Sequence, residues 1–226
     1  MTLHNKLTRE NAEKIMESSK KFPHINNSLK ILNKCFDMYN SDEIFVSFNG
    51  GKDCTAVLHL AASVALLRNF SSLTCLYVIG DTFPEVDDFV EKAAQYYNIK
   101  LIKMKKPIKA ALNELLLVDN NLKACLMGVR KGDPGTDCVE SFMNTDPGWP
   151  KLMRVNLILD WTYNQVWEFL LKHNVPYCSL YDKGYTSLGD KNNTFPNELL
   201  KNPNDPLQYL PAYKLVDDST ERNGRG

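Results

Sequence analysis

The chain has 226 residues, with 27 Lys+Arg against 27 Asp+Glu and no formal net charge, which argues against a domain that binds by covering nucleic-acid phosphates. At 43% hydrophobic and 24% charged, with 11 Gly and 11 Pro, the composition is that of a globular protein rather than a disordered or fibrous one. Such a chain buries roughly 70–75% of its unfolded surface and needs no staples.

The first residues, Met1 to Lys6, lead into polar sequence rather than the apolar core and cleavage site of a secretory signal. The most apolar stretch, Ala56 to Leu67, contains His59 and Ser63 and runs into Arg68, so it is too interrupted to span a bilayer. The six cysteines form no CxxC pair, and the four histidines (His4, His24, His59, His173) form no HxH or HExxH spacing. These features predict a chain of a reducing, cytoplasmic compartment, with neither a membrane nor a nucleic acid as partner. A monomer is the expected state. Any metal is expected to be Mg²⁺ arriving with a substrate.

Helical spacing at Ile15 and Phe22, then at Ile25, Leu29, Leu32, Phe36 and Tyr39, broken at Pro23, predicts two N-terminal helices within residues 1–40 that cover part of a sheet. Ile44 to Phe48 reads as a buried strand, Asn49-Gly50-Gly51 as a tight turn, and Cys54 to Arg68 as a buried helix. A second strand over Leu73 to Ile79 precedes a helix with apolar residues at Val86, Phe89, Val90, Ala93, Ala94 and Tyr97, with Thr82 as its N-cap and Pro84 in its first turn. A strand at Lys100 to Met104, a helix at Pro107 to Val118 and a strand at Ala124 to Val129 continue the alternation, which predicts parallel βαβ units. A Gly-, Pro- and Asp-rich loop over 128–150 interrupts it, and a loop of that length is usually functional. A strand at Met153 to Leu159 and a helix at Tyr163 to His173 follow. The expected architecture is α/β: a mostly parallel sheet with helices on both faces over 44–175, and an irregular C-terminal extension over 176–226, in one domain.

The sharpest local feature is Ser47-Phe48-Asn49-Gly50-Gly51-Lys52-Asp53, between a strand and a helix. Two glycines let backbone N–H groups approach an anion, and Lys52 adds a positive charge. This is not the GxxxxGK[ST] loop, because the glycine spacing differs and Asp53 stands where a hydroxyl is needed. Asp81-Thr82 lies at the end of the second strand and reads equally as a helix cap. Asp133-Pro134-Gly135 reads also as a turn. Trp167 belongs on a helix, in the core, whereas Trp149 sits in a Gly/Pro loop where a flat aromatic can pack on a ring system. By position alone, Glu221 to Arg225 is a solvated tail.

SFNGGKD resembles the pyrophosphate-binding loop of the ATP pyrophosphatases, which cleave ATP between its α and β phosphates. Five more segments narrow the resemblance: Asp81-Thr82-Phe83, Gly128 to Pro134, Thr145 to Pro150, Gly184 to Gly189, and Leu215 to Arg225. In this order they resemble the eukaryotic FAD synthases, over about residues 44–225. The resemblance implies an adenine-nucleotide-hydrolase-like, Rossmann-like fold and FMN adenylyltransferase activity, with FMN and ATP as substrates, FAD as product, and Mg²⁺ carried with ATP. It places ATP phosphate and metal contacts on Asn49, Gly50, Gly51, Lys52 and Asp53, with Ser47 beside them, and nucleotide contacts on Asp81, Thr82 and Gly128. Arg130 and Asp133 fall on a GxRxxDP motif. Asp146, Trp149 and Arg154 fall on flavin-associated positions, and Arg222 and Arg225 on the C-terminal ERxGR. Asn49, Asp53, Asp133 and Arg225 are then the catalytic candidates, and Asn49, Asp53 and Asp133 the metal candidates. Phe48 stands where Tyr is common in the family, Asn223 where Ala is common, and the stretch between Pro134 and Thr145 is short.

The implied reaction joins two anions, so positioning and charge neutralisation carry it, with Lys52, Arg130 and the C-terminal arginines as stabilisers. The FMN phosphate is already ionised near neutral pH, so no general base is needed and no histidine enters the motifs. Two rival readings are a sulfonucleotide reductase, which needs a reactive C-terminal thiol and has only Cys178 to supply it, and a nucleotide- or flavin-binding module without turnover.

Overall fold

The computed structural model describes residues 6–136 and 138–226; Met1 to Asn5, including His4 and nearly all of the stretch tested for a secretory signal, lie outside the described residues. Six strands form one sheet: β1 (Ile44–Ser47), β2 (Thr74–Val78), β3 (Lys100–Met104), β4 (Ala124–Met127), β5 (Phe142–Asn144) and β6 (Met153–Asn156). Their order is β3-β2-β1-β4-β6-β5. All neighbours run parallel except β5, which pairs antiparallel with β6 at the edge. The predicted parallel alternation is present, and β5 lies inside the stretch expected to be structureless. Three residues are too few to show a period of two, which is why that strand is invisible in the sequence.

From β1 the chain lays β2 and β3 to one side and then returns to lay β4 and β6 on the other. The loops after β1 and β4 therefore diverge at the carboxyl ends of adjacent strands, where open α/β sheets bind ligands.

The two faces of the sheet are covered unequally. Ile44, Val46, Cys75, Tyr77, Ala124 and Leu126 face the larger core, beneath α3 (Lys52–Leu67), α4 (Pro84–Tyr97) and α6 (Tyr163–Lys172). The alternate residues Phe45, Leu76 and Cys125 face a smaller cluster made with Leu112 and Leu115 of α5 (Ile108–Val118). This is the period-2 alternation of strands with both faces covered. Helix α3 is buried nearly all round, because α1 (Arg9–Ser19) and α2 (Pro23–Met38) pack on its outer side. The N-terminal helices thus cover mainly α3, and α2 also reaches the sheet at β6. A buried chain of hydrogen bonds pins α2: Trp161 Nε1 donates to Ser28 Oγ (2.9 Å), and Ser28 donates to the carbonyl of Leu157 (2.7 Å).

Several boundary expectations change: α3 begins at Lys52 rather than Cys54, β4 ends at Met127 rather than Val129, and β6 ends at Asn156 because the chain turns over 157–160. Helix α4 is entered through Phe83 with Pro84 at its first position and no side-chain cap, so Thr82 is not its N-cap; the fixed φ of proline starts the helix unaided. The C-terminal extension holds short 3-10 turns and a hairpin of β7 (Lys201–Asn202) and β8 (Asp205–Tyr209). Among the described residues no helix is long and apolar enough to cross a membrane.

Where α3, α4 and α6 meet, His59 is fully buried and shares a 2.9 Å hydrogen bond with the Tyr97 hydroxyl. Burial pushes its pKa down to about 3, and that of His173 down to about 4. Both imidazoles are therefore neutral in the folded chain, while in the unfolded chain they titrate near ~6.5. Below that value the unfolded state binds more protons, so stability is lost as pH falls. The midpoint of thermal unfolding should drop steadily between pH 7 and pH 5, above the range where carboxylates titrate. A flat profile there would show that these histidines stay protonatable in the fold.

Candidate functional site

The loop between β1 and α3 is shaped by two close approaches. Gly50 has φ +76°, and an added Cβ would lie 3.0 Å from Val86 Cγ1 of α4, so both conformation and space require glycine. At the end of β4, a Cβ on Gly128 would lie 2.6 Å from the backbone nitrogen of Cys54. Gly128, read from sequence as a nucleotide contact, thus has a packing reason of its own: it lets the β4 loop cross the first turn of α3. Asn49 folds back so that its Oδ1 accepts from Gly51 N at 2.9 Å. The hydroxyl of Tyr181, fully buried, accepts from Lys52 N at 2.8 Å and stays protonated because burial raises its pKa.

Lys52 departs from the expectation of a charge offered outward. It is 1% exposed, and its ammonium contacts Asp53 Oδ2 (3.0 Å) and Glu221 Oε1, with the Tyr163 ring centroid 5.1 Å away. Arg130, also buried, forks its Nη2 onto both Glu221 oxygens (2.7 and 2.5 Å) and brings its Nε within 2.8 Å of Asp53 Oδ1. That last contact is not aligned as a hydrogen bond, so the buried Asp53 Oδ1 has none. Asp133 accepts from Arg130 N through Oδ2 (2.9 Å), and its other oxygen lies 3.9 Å from the guanidinium. Burial opposes the Arg130 charge, but Asp53 and Glu221 outweigh it and its pKa is raised. Two cations thus stand among three carboxylates at the parting of β1 and β4.

A second half-site lies on the α5 face of the same strands. Ser47, Ile108, Leu112, Cys125, Met127, Thr145, Asp146, Trp149, Leu152 and Arg154 line a mostly apolar cavity. The strand residues Ser47, Cys125, Met127 and Arg154 reach it because they alternate in register with Phe45. Ser47 therefore belongs to this cavity rather than to the ion cluster. Arg154 Nη2 donates to the Asn144 carbonyl (3.2 Å) and meets Asp146 Oδ1 (3.4 Å), while Trp149 is 37% exposed, with Lys109 Nζ 5.9 Å from its ring centroid. Trp167 is buried in the core, as its helical position implied.

The remaining candidates lie around the C-terminal segment. Asp81 is exposed and tied to Lys191 Nζ (2.8 Å) and Asn192 Nδ2 (2.9 Å); Thr82 is half-buried beside it. Arg225 donates to the Leu188 carbonyl (2.8 Å) and Ser187 Oγ (3.3 Å), and burial, with Arg222 nearby, lowers its pKa. Arg222 is exposed on a cleft shared with Arg130, Asp133, Asp160 and Asp218. Far from being a solvated tail, the segment is anchored at both ends, Glu221 on Lys52 and Arg130 beside the β1–α3 loop and Arg225 on Ser187 and Leu188. Site reasoning from sequence passed over Glu221, Tyr181 and Tyr163. Glu221 had a signal, since it opens the ERxGR segment, but a carboxylate near a chain end reads as solvated.

The thiol rival fares poorly. Cys178 is fully buried, its pKa is pushed up to about 11 chiefly by burial, and its nearest acceptor is the Glu85 carbonyl at 3.6 Å. It has neither the exposure nor the lowered pKa of a nucleophile.

Fold and site together define a class. Residues 43–115 and 103–196 match the phosphoadenosine phosphosulfate reductase domain family, an α/β nucleotide-binding class. Within it, the chain is 42% identical over 207 residues to a probable FAD synthase of Schizosaccharomyces pombe, covering 88% of this chain and 77% of that protein. Candida glabrata FMN adenylyltransferase, in complex with FMN and the ATP analogue AMPCPP, superposes with a TM-score of 0.87 at 27% identity, over 96% of this chain and 98% of that one. The same enzyme in complex with FAD and inorganic pyrophosphate gives 0.87 at 27%, over 96% and 95%. The chain belongs to the FAD synthase family.

Because the ion cluster is buried, removing one charge leaves its partners uncompensated, at a cost of about 3–5 kcal/mol. Lys52→Met should lower unfolding stability by that order in denaturant titration, far beyond the small effect of removing a surface lysine such as Lys14. A loss under ~1 kcal/mol would place the Lys52 ammonium in water, where ion pairs are weak.

Proposed function

We propose that the two half-sites divide the FAD synthase reaction, FMN + ATP → FAD + pyrophosphate, with phosphates handled at the β1–α3 loop and the isoalloxazine held in the Trp149 cavity. The observation that carries this reading is their placement: a glycine loop with buried cations and an aromatic-lined apolar cavity meet at the same strand ends, on opposite faces of the sheet. A dinucleotide product spans such a divide.

The FMN phosphate, with a second pKa of about 6, is ionised at neutral pH and attacks the α-phosphorus of ATP in line. No proton need be removed from it. The chain's contribution is to align two anions and balance their charge. The N-terminal end of α3 is directed at the phosphates, with Gly51 N held by Asn49 Oδ1 and Lys52 N by Tyr181 so that the turn keeps its shape. Arg130, fixed by Asp53, Asp133 and Glu221, supplies positive charge beside them, with Arg222 and Arg225 at the rim. Asp81 and Thr82, at the end of β2, lie at the nucleotide side. Arg154 and Asp146 are polar groups able to meet the flavin's polar edge while Trp149 packs on its ring.

Mg²⁺ fits this donor set. Asp53 Oδ1 is a buried carboxylate oxygen without a hydrogen bond, and Asp133 lies across Arg130 from it. Mg²⁺ commonly takes one or two carboxylates and completes its shell with phosphate and water. Asp53 and Asp133, with Asn49, would hold the ion, which when bound offsets charge on the ATP phosphates. No cluster of three His, Cys, Asp or Glu able to hold a metal by itself occurs among the described residues.

Incubated with FMN, ATP and Mg²⁺, the purified chain should release FAD and pyrophosphate in equal amounts, followed by chromatography and a phosphate assay. Trp149→Ala should raise the KM for FMN by about five- to 150-fold, since an aromatic–ring stack contributes ~1–3 kcal/mol, with the KM for ATP little changed. Asp133→Asn should lose about 100-fold in turnover while remaining folded, whereas Cys178→Ala should keep near-normal turnover. Equal KM shifts for both substrates in Trp149→Ala would remove the flavin from that cavity.

A further inference from the structure

Glu221 is the group at this site that the reaction leaves with the least to do, and it is the most heavily committed. Its carboxylate accepts from Lys52 Nζ through Oε1 and from Arg130 Nη2 through both oxygens, at 2.7 and 2.5 Å. These partners lie 169 and 91 residues away in the chain. Its backbone is held as firmly: the carbonyl accepts the Thr186 hydroxyl at 2.6 Å, and Asn197 Nδ2 donates to Thr186 Oγ1 (3.2 Å) and to the Thr220 carbonyl (2.9 Å). Thr186 and Asn197 are themselves at most 1% exposed. Buried polar groups held by this many partners fix a geometry rather than merely tolerate burial.

We infer that Glu221 is a positioning residue for adenylyl transfer: it acts through Arg130 and Lys52, setting the direction of the guanidinium beside the phosphate loop, and does not touch substrate. Without it, Arg130 keeps Asp53 and Asp133 as partners but loses its forked contact, and the Lys52 ammonium keeps only Asp53 and the Tyr163 ring. Both cations then collapse toward Asp53. A guanidinium misplaced by about 1 Å loses on the order of 100-fold in rate, because charge stabilisation depends on aim. The Trp149 cavity, on the other face of the sheet, contains none of these residues, so the hold on the isoalloxazine is untouched. The inference rests on the FAD synthase reading.

The test is a kinetic cycle with E221Q, which keeps the shape and part of the hydrogen bonding but loses the charge. E221Q should remain folded at the assay temperature although its unfolding midpoint falls by on the order of ten degrees, lose at least about 30-fold in kcat, and keep its KM for FMN within about twofold. Combined with Arg130→Lys, which keeps the charge but not the fork, it should add little further loss, because the two changes remove one interaction. E221D, too short to bridge both cations yet still charged, should show the same split at smaller size, and decides the matter should E221Q not fold. Turnover at the parent's rate in E221Q or E221D, multiplicative losses in the double variant, or a matching rise in the KM for FMN would each overturn the assignment. If the unmodified chain itself forms no FAD, the failure belongs to the functional reading instead.

Discussion

The structure turns on a charge problem placed where β1 and β4 part. Two buried cations, Lys52 and Arg130, stand among Asp53, Asp133 and Glu221, and none of the five could be buried alone at tolerable cost. Each is held by the others and by parts of the chain that are remote in sequence. Lys52 and Asp53 come from the first turn of α3, Arg130 and Asp133 from the loop after β4, and Glu221 from the C-terminal segment. The cluster is therefore the point at which the sheet, its covering helices and the extension after α6 are joined.

Two further constraints bring the cluster to the strand ends. Gly128 allows the β4 loop to lie against α3, and without that approach Arg130 could not reach Asp53. Tyr181 of the extension and Tyr163 at the start of α6, both buried, close the cluster, one accepting from the Lys52 backbone and the other presenting its ring to the ammonium. The extension thus supplies the lid of a charged pocket built by the core, and its irregular course follows from that role. Short turns can aim Tyr181, Thr186, Asn197 and Glu221 at separate points, whereas a regular helix or strand would align them on one face.

The unequal covering of the sheet serves the second half-site. The face beneath α3, α4 and α6 is closed, while α5 alone covers part of the other, leaving room between α5 and the β5–β6 edge for the cavity at Trp149. Because strand side chains alternate, Ser47, one residue before the loop, faces this cavity while the loop itself leads to the ion cluster. A single strand end therefore addresses two chemically different spaces, which suits a reaction joining a flat aromatic substrate to a polyanion.

By itself the sequence determined what local periodicity and turn chemistry can carry. The alternation of strands and helices, the parallel sheet, the burial of α3, the placing of Trp167 in the core and of Trp149 outside it, and the glycine loop were all legible. Each rests on residues close together along the chain. The ordered motifs then narrowed the family. What only the tertiary structure decided were the long-range partnerships: that Lys52 faces inward to Glu221, that Ser47 serves the other face, that Gly128 is a packing contact, and that residues 221–225 are anchored. Short elements such as β5 carry too few residues to show a period. An ion pair spanning 169 positions leaves no local mark, since a buried lysine and a solvated one are the same letter and only the fold sets the dielectric around them.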